Sequence, residues 1–221
     1  MPPPGLEPLW TAPTSLPPTG LHVWRIPLAG SDPQDIEGLS DDELARARRL
    51  VDPVRGRYLA VRRAARHILA RYVGAPAATL RFVAAPRGKP SIGHPATDWL
   101  FNLSDSGDLA LLAVSRAGPV GIDLERMREV RRPEAIARRM LPPTAHDDLL
   151  QAEAAARDAL FLRHWTAFEA RQKATGAGLS GPRAVATEWR VVHFVPEEGW
   201  IAALAHPAGL TPSIHFYVHE T

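Results

Sequence analysis

Glu169 and Lys173 stand four residues apart in the run Phe161 to Leu179, F-L-R-H-W-T-A-F-E-A-R-Q-K-A-T-G-A-G-L. On one helix that spacing projects both head groups from the same face. Phe161, Trp165, Phe168 and Gln172 follow the spacing of an inward stripe, so Glu169 lies beside apolar surface. A carboxylate there is costly unless a cation meets it. Two more acids, Asp123 and Glu125, stand in V-G-I-D-L-E. Residues two apart on a strand face the same way, so these carboxylates converge. Like charges so close repel, and without a cation one of them tends to take up a proton. Magnesium resolves this, because it is commonly held by one or two carboxylates plus water and substrate phosphate oxygens. Singly, an E-x-x-x-K pair reads as a surface ion pair and a D-x-E pair as an exposed strand end. Joined, with Glu169 as a third oxygen ligand and Lys173 as a phosphate partner, they describe a metal-assisted phosphoryl site.

The lysine count supports this. Lys89 and Lys173 are the only lysines, and the other twenty-four basic residues are arginine. A retained lysine suggests a position wanting a compact ammonium rather than a planar fork. Charge is also unevenly spread. From Arg46 to Lys89 there are twelve basic residues and one acid, Asp52; after Gly118 there are twelve basic and thirteen acidic residues. A locally bound polyanion fits such asymmetry. Nucleic acid is one such partner, but no zinc motif, RNA-binding aromatic signature or helix-turn-helix accompanies the basic stretch. A small phosphorylated ligand is at least as good a match.

The elements that must position these groups follow from pattern. Residues 1–20 hold seven prolines and read as an extended, flexible lead-in. His22 to Leu28 alternates as a strand. Ser40 and Glu43 form a capping box that opens a helix to about Leu50. A longer helix, Arg57 to Val73, ends at Gly74 and buries Leu59, Ala65, Ile68, Leu69 and Tyr72. Arg62 and Arg66 lie one turn apart on it with Arg63 adjacent, and no acid nearby in sequence compensates them. Strands follow at Leu80–Ala84, Leu100–Leu103, Leu109–Val114 and Val120–Leu124. Arg87-Gly88-Lys89-Pro90 is a turn, and Ser104 to Asp108 reads as a connection. A helix near Pro133–Leu141, the Glu169 helix, and strands at Glu188–Val195, Trp200–Ala205 and Ser213–His219 complete the chain. The partial repeat suggests an α+β fold of two related halves, 21–117 and 118–221, with a ligand groove between them.

At 221 residues the chain can bury a real core. It has no cysteine, which excludes thiolate chemistry and disulfides and suits a reducing cytoplasm. No apolar run reaches a membrane span, and no signal peptide is evident. A nucleophile elbow and a Walker loop are absent.

Four segments in order resemble the 4′-phosphopantetheinyl transferases of the Sfp type. Gly88-Lys89-Pro90 resembles the G-K-P motif, and Phe101 to Ser106 resembles F-N-L-S-H-S. Gly121 to Glu125 is similar to G-I-D-x-E, and Trp165 to Lys173 to W-[TS]-x-K-E-A-x-x-K, with Gly176 to Leu179 matching beyond it. The likeness covers nearly everything after residue 20. It implies two pseudo-twofold-related α/β subdomains with the site between them. It also implies magnesium-dependent transfer of phosphopantetheine from coenzyme A to a serine of an acyl or peptidyl carrier protein, releasing 3′,5′-ADP. By position, Asp123, Glu125 and Glu169 would hold magnesium, and Glu169 would also serve as base toward the serine. Lys173 would contact the pyrophosphate. Arg62, Lys89, Ser104 and Asp105 would line the coenzyme A site, Arg62 at the 3′-phosphate. A monomer is expected, with no nucleic-acid or membrane partner.

Two positions depart from the family pattern. Asp105 stands where the family has a histidine that contacts coenzyme A phosphates, and Phe168 replaces a lysine; a further family acid falls near Ala145, with His146 beside it. These leave two alternatives to an ordinary transferase, an altered donor or carrier preference and a non-catalytic binder of coenzyme A or carrier protein.

Overall fold

Alternation along β1 (Leu21–Pro27) sends Trp24 and Ile26 to one side and Leu21 and Val23 to the other. A strand buried on both faces belongs at the centre of a layered structure. The computed structural model, which describes residues 6–30, 32, 34–84, 88–176, 178 and 188–220, places β1 there. β1 pairs antiparallel with β5 (Leu109–Ser115), every residue of which is buried, and β5 pairs with β4 (Leu100–Ser106). On its other edge β1 runs parallel to β9 (Ile214–Val218). The first sheet therefore has the order β4-β5-β1-β9 and draws its last strand from the far end of the chain.

One face of this sheet is covered by α2 (Val54–Val73), through Ala60, Val61, Ala64, Ala65, Ile68 and Leu69. Gly74 ends α2 in the left-handed conformation, and Ser40 caps α1 (Asp41–Ala47) with the full capping box. The other face packs against the second sheet, formed by β6 (Gly121–Arg126), β8 (Trp200–Pro207) and β7 (Trp189–Phe194) in the order β6-β8-β7. That sheet's outer face carries α5 (Ala154–Thr175), with Ala170 and Ala174 against Ala203 and Ala205. The layers thus run α2, first sheet, second sheet, α5. The chain is mixed α+β, as its strand and helix patterns imply. Short helices α3 (Pro133–Met140) and α4 (Pro143–Gln151) close a further core with Phe161, Leu162 and Phe168 of α5.

Several elements differ from expectation. Ser104, Asp105 and Ser106 belong to strand β4, and only Gly107 and Asp108 turn the hairpin. Strand β3 (Pro90–His94), paired with β2 (Arg81–Ala84), and helix α4 were not anticipated. Within the proline-rich lead-in, Leu6 bridges to Phe194 and Thr11 to Tyr217, while Trp10 packs edge-on against Phe216. Residues 6–11 therefore touch both sheets. Among the described residues no helix is long and apolar enough to cross a membrane. Arg87, Ala177 and Leu179 of the sequence motifs lie outside the described residues.

Candidate active site

The site begins with a glycine. A Cβ on Gly121 would stand 2.0 Å from the Ala170 carbonyl oxygen and 2.5 Å from the Ala174 nitrogen. Only glycine lets α5 lie this close on β6. The close approach brings Glu169 and Lys173, one turn apart on α5, over Asp123 and Glu125 on the same face of β6. Lys173 Nζ donates to Asp123 Oδ1 at 2.5 Å and lies 3.7 Å from Glu169 Oε2. Asp123 is only 3% exposed. Ser104 Oγ donates to its Oδ1 at 3.1 Å, and Lys173 donates to Ser104 Oγ at 3.0 Å.

The charges are not balanced locally. Burial, then the neighbouring Asp123 and Glu125 carboxylates, push the Glu169 carboxyl up to about 7 against the pull of Lys173. Burial also raises Glu125, with Asp123 adding to it, although Arg128 Nη2 pairs with Glu125 Oε2 at 3.1 Å. Asp123 Oδ2 is buried and, among the described residues, has no hydrogen-bond partner. An orphaned carboxylate oxygen in a cluster of acids suits a hard divalent cation. Among the described residues no three acidic or imidazole side chains already stand as a ligand set, and Lys173 lies among the carboxylates. The donor set, oxygen only, fits magnesium in kind. A cavity of about 460 Å³ opens beside Glu125 and Glu169, walled by Phe161, Trp165 and Ile136 and rimmed by Arg128 and Arg131.

The remaining residues singled out from sequence are placed as follows. Arg62 is not an uncompensated cation. Its Nε donates to Glu43 Oε1 at 2.6 Å, and Arg66 Nε donates to Glu43 Oε2 at 2.6 Å. Arg63 pairs with Asp35. The compensating acids come from elements distant in sequence. Burial alone would raise the Glu43 carboxyl, but hydrogen bonds from Ser40 and the two guanidiniums hold it below its ordinary value. Lys89 Nζ donates to Val120 O at 3.0 Å and Ala174 O at 2.9 Å, so it fastens the end of α5 to the start of β6. Burial lowers this ammonium to about 8. Asp105 is exposed and follows Phe101 and Leu103 to the α2 side of β4, while Ser104 faces Asp123. It is not part of the acidic cluster. Phe168 is 5% exposed and Ala145 is 2% exposed, both in the core among α3, α4 and α5, where a charged side chain would be desolvated.

Sequence reasoning assigned no role to Asn102, Ser106, Gly121 or Arg128. Asn102 Oδ1 accepts from the Ile122 N–H at 2.7 Å, and Ser106 Oγ accepts from the Arg126 N–H at 2.9 Å. The available signal was polar alternation through N-L-S-D-S, which marks a strand with one polar face.

Residues 119–219 match the family model of the 4′-phosphopantetheinyl transferase superfamily. The chain is 36% identical over 205 residues to the 4′-phosphopantetheinyl transferase HetI of Nostoc sp. (strain PCC 7120), covering 84% of this chain and 86% of HetI. It is also 36% identical over 115 residues to the 4′-phosphopantetheinyl transferase psf-1 of Bacillus pumilus, covering 52% of this chain and 48% of that protein.

Proposed function

This chain belongs to the 4′-phosphopantetheinyl transferases, and from that premise we propose a magnesium-dependent transfer of the phosphopantetheine arm of coenzyme A to a carrier-protein serine. The observation that carries the proposal is the meeting of Asp123, Glu125, Glu169 and Lys173 at the β6–α5 contact. Asp123, Glu125 and Glu169 would hold magnesium, which when bound supplies Lewis-acid stabilisation of charge on the pyrophosphate oxygens.

The chain's own residues supply the rest. The serine hydroxyl attacks the phosphorus that bears the pantetheine arm, and the phosphoanhydride bond to 3′,5′-ADP breaks. Glu169, beside Lys173 on α5, would take the hydroxyl proton on a carboxylate oxygen and release it to water. Base assistance of this kind contributes about 10²–10⁴-fold. Lys173, held between Asp123 and Glu169, would face the leaving pyrophosphate oxygens, where fixed charge has most effect. Phe161 and Trp165 line the adjoining cavity and would keep water from the reacting phosphorus. Arg128 and Arg131 at its rim suit an acidic carrier surface. Both walls of the site come from one chain, which supports a monomer, and the absence of cysteine suits a reducing cytoplasm.

The test is direct. The protein, coenzyme A, magnesium and an apo carrier protein are incubated and the carrier is weighed. The carrier gains the mass of phosphopantetheine with the wild type and none with Asp123→Ala or Glu169→Ala. Transfer retained by both variants refutes the assignment of the acidic cluster.

A further inference from the structure

We infer that Asn102, Ser104 and Ser106 are positioning residues whose side chains set where the acidic strand stands relative to α5. The inference rests on the transferase reading above. Strand β6 has two edges. One pairs with β8 through backbone hydrogen bonds, Asp123 opposite Ala203 and Glu125 opposite Ile201. The other faces β4, and there no backbone ladder forms. The amides of Ile122, Leu124 and Arg126 donate instead to Asn102 Oδ1 at 2.7 Å, Ser104 Oγ at 3.2 Å and Ser106 Oγ at 2.9 Å. The rungs advance by two in both strands together, so one polar side chain serves each alternate amide. Buried amides without such partners are costly, and this fixes the register of β6 on β4.

Asp123 and Glu125 sit between the held amides and project to the α5 side. A slip of one rung would put Glu125 where Asp123 stands, beneath Lys173. The two sheets are therefore keyed to each other by three side chains at the place where the reaction needs accuracy. The same strand alternation sends Phe101 and Leu103 into the α2 core. The motif's alternating character has this physical cause.

Ser104 has a second duty that limits what else it can do. Its hydroxyl donates to Asp123 Oδ1 and accepts from Leu124 N–H and Lys173 Nζ. A hydroxyl has one proton and two lone pairs, so its capacity is filled. In this arrangement its one proton is committed to Asp123. Ser104 thus acts on the site through Asp123 and Lys173.

The experiment separates kcat from KM. Wild type, Ser104→Ala, Asn102→Ala and Ser106→Ala are assayed for transfer to an apo carrier while coenzyme A and magnesium are varied in turn. Removing a partner that orients metal ligands typically costs about 10–100-fold in activity or metal affinity. Ser104→Ala and Asn102→Ala are expected to lose kcat on that scale and to need more magnesium for half-maximal rate, with KM for coenzyme A unchanged. Ser106→Ala, at the exposed end, follows in the same direction by a smaller factor. Should Asn102→Ala fail to fold, the two serine variants carry the test, because each removes a single oxygen. Unchanged kcat with a raised KM for coenzyme A in Ser104→Ala would make that residue a donor ligand and overturn the inference. Unchanged kinetics in every folded variant would overturn it as well. A wild-type protein that transfers nothing refutes the transferase reading instead, before any variant is compared.

Discussion

Gly121→Ala is the smallest change that should disable this enzyme. The new methyl carbon would lie 2.0 Å from Ala170 O, where ordinary contact begins at 3.4 Å, so helix and strand must part by about 1.4 Å. Neither offending atom can rotate away, because both belong to the backbone of α5. Overpacking of this kind costs about 1–3 kcal/mol, which a core of this size survives in part. The functional loss is expected to be larger. Lys173 Nζ lies 2.5 Å from Asp123 Oδ1, so the same parting breaks the contact that orders the cluster. Misplacement by about 1 Å can cost about 10²-fold in rate. Thermal unfolding and carrier-protein mass shift, run on the same preparation, should therefore report a moderate fall in Tm and a fall in kcat of about 10²-fold. A folded Gly121→Ala protein within threefold of wild-type kcat would refute the view that close α5–β6 packing places the catalytic groups.

Other expectations concern the groups around that contact. Lys89→Ala removes two hydrogen bonds from a buried ammonium to backbone carbonyls, so stability should drop by about 1–3 kcal/mol in urea titration; a changed KM for coenzyme A with undiminished stability would assign Lys89 to the donor instead. Asp105→His alters an exposed side chain across β4 from Asp123, so KM for coenzyme A should move while the magnesium requirement does not, and a changed magnesium requirement would contradict the strand's facing. His22 and His193 are each lowered to about 4, chiefly by burial. The unfolded chain takes up protons from about pH 6.5 downward, whereas the folded form resists until near 4. Stability present above pH 6.5 should be lost as pH falls toward 4, and urea midpoints at pH 7.5 and 5 that coincide would contradict this.

Local chemistry was legible in the sequence, and long-range partnership was not. Ser40 and Glu43 state their own capping box, and Gly74 marks the end of α2, because both involve residues within a turn of each other. The convergence of Asp123 and Glu125 on one face likewise needs only strand periodicity. Arg62 and Arg66 looked uncompensated because Glu43 lies 19 and 23 residues away and only tertiary folding unites them. Ser104 to Asp108 carries the residues of a turn, yet the serines here serve as hydrogen-bond partners for another strand, a use that propensity does not encode. Pro142 and Pro143 disguised α4, since a proline at the first helical position reads as a break until the following turn is seen. Phe168 is odd only against the family motif. In the core that it shares with Leu149 and Leu162 it is an ordinary apolar residue.

The pairing of β1 with β9 governs how the protein can be made. Leu21 lies beside Ile214 and Arg25 beside Val218, so the first sheet joins segments separated by nearly the whole chain. During synthesis, β1, β5 and β4 emerge early and present an open strand edge that stays unfilled until Val218 has left the ribosome. Such an edge is a template for unwanted pairing while it waits. The nascent first half is therefore the aggregation-prone species, and slow translation through the second half lengthens its exposure. Cutting the gene between residues 117 and 118 would make that transient permanent.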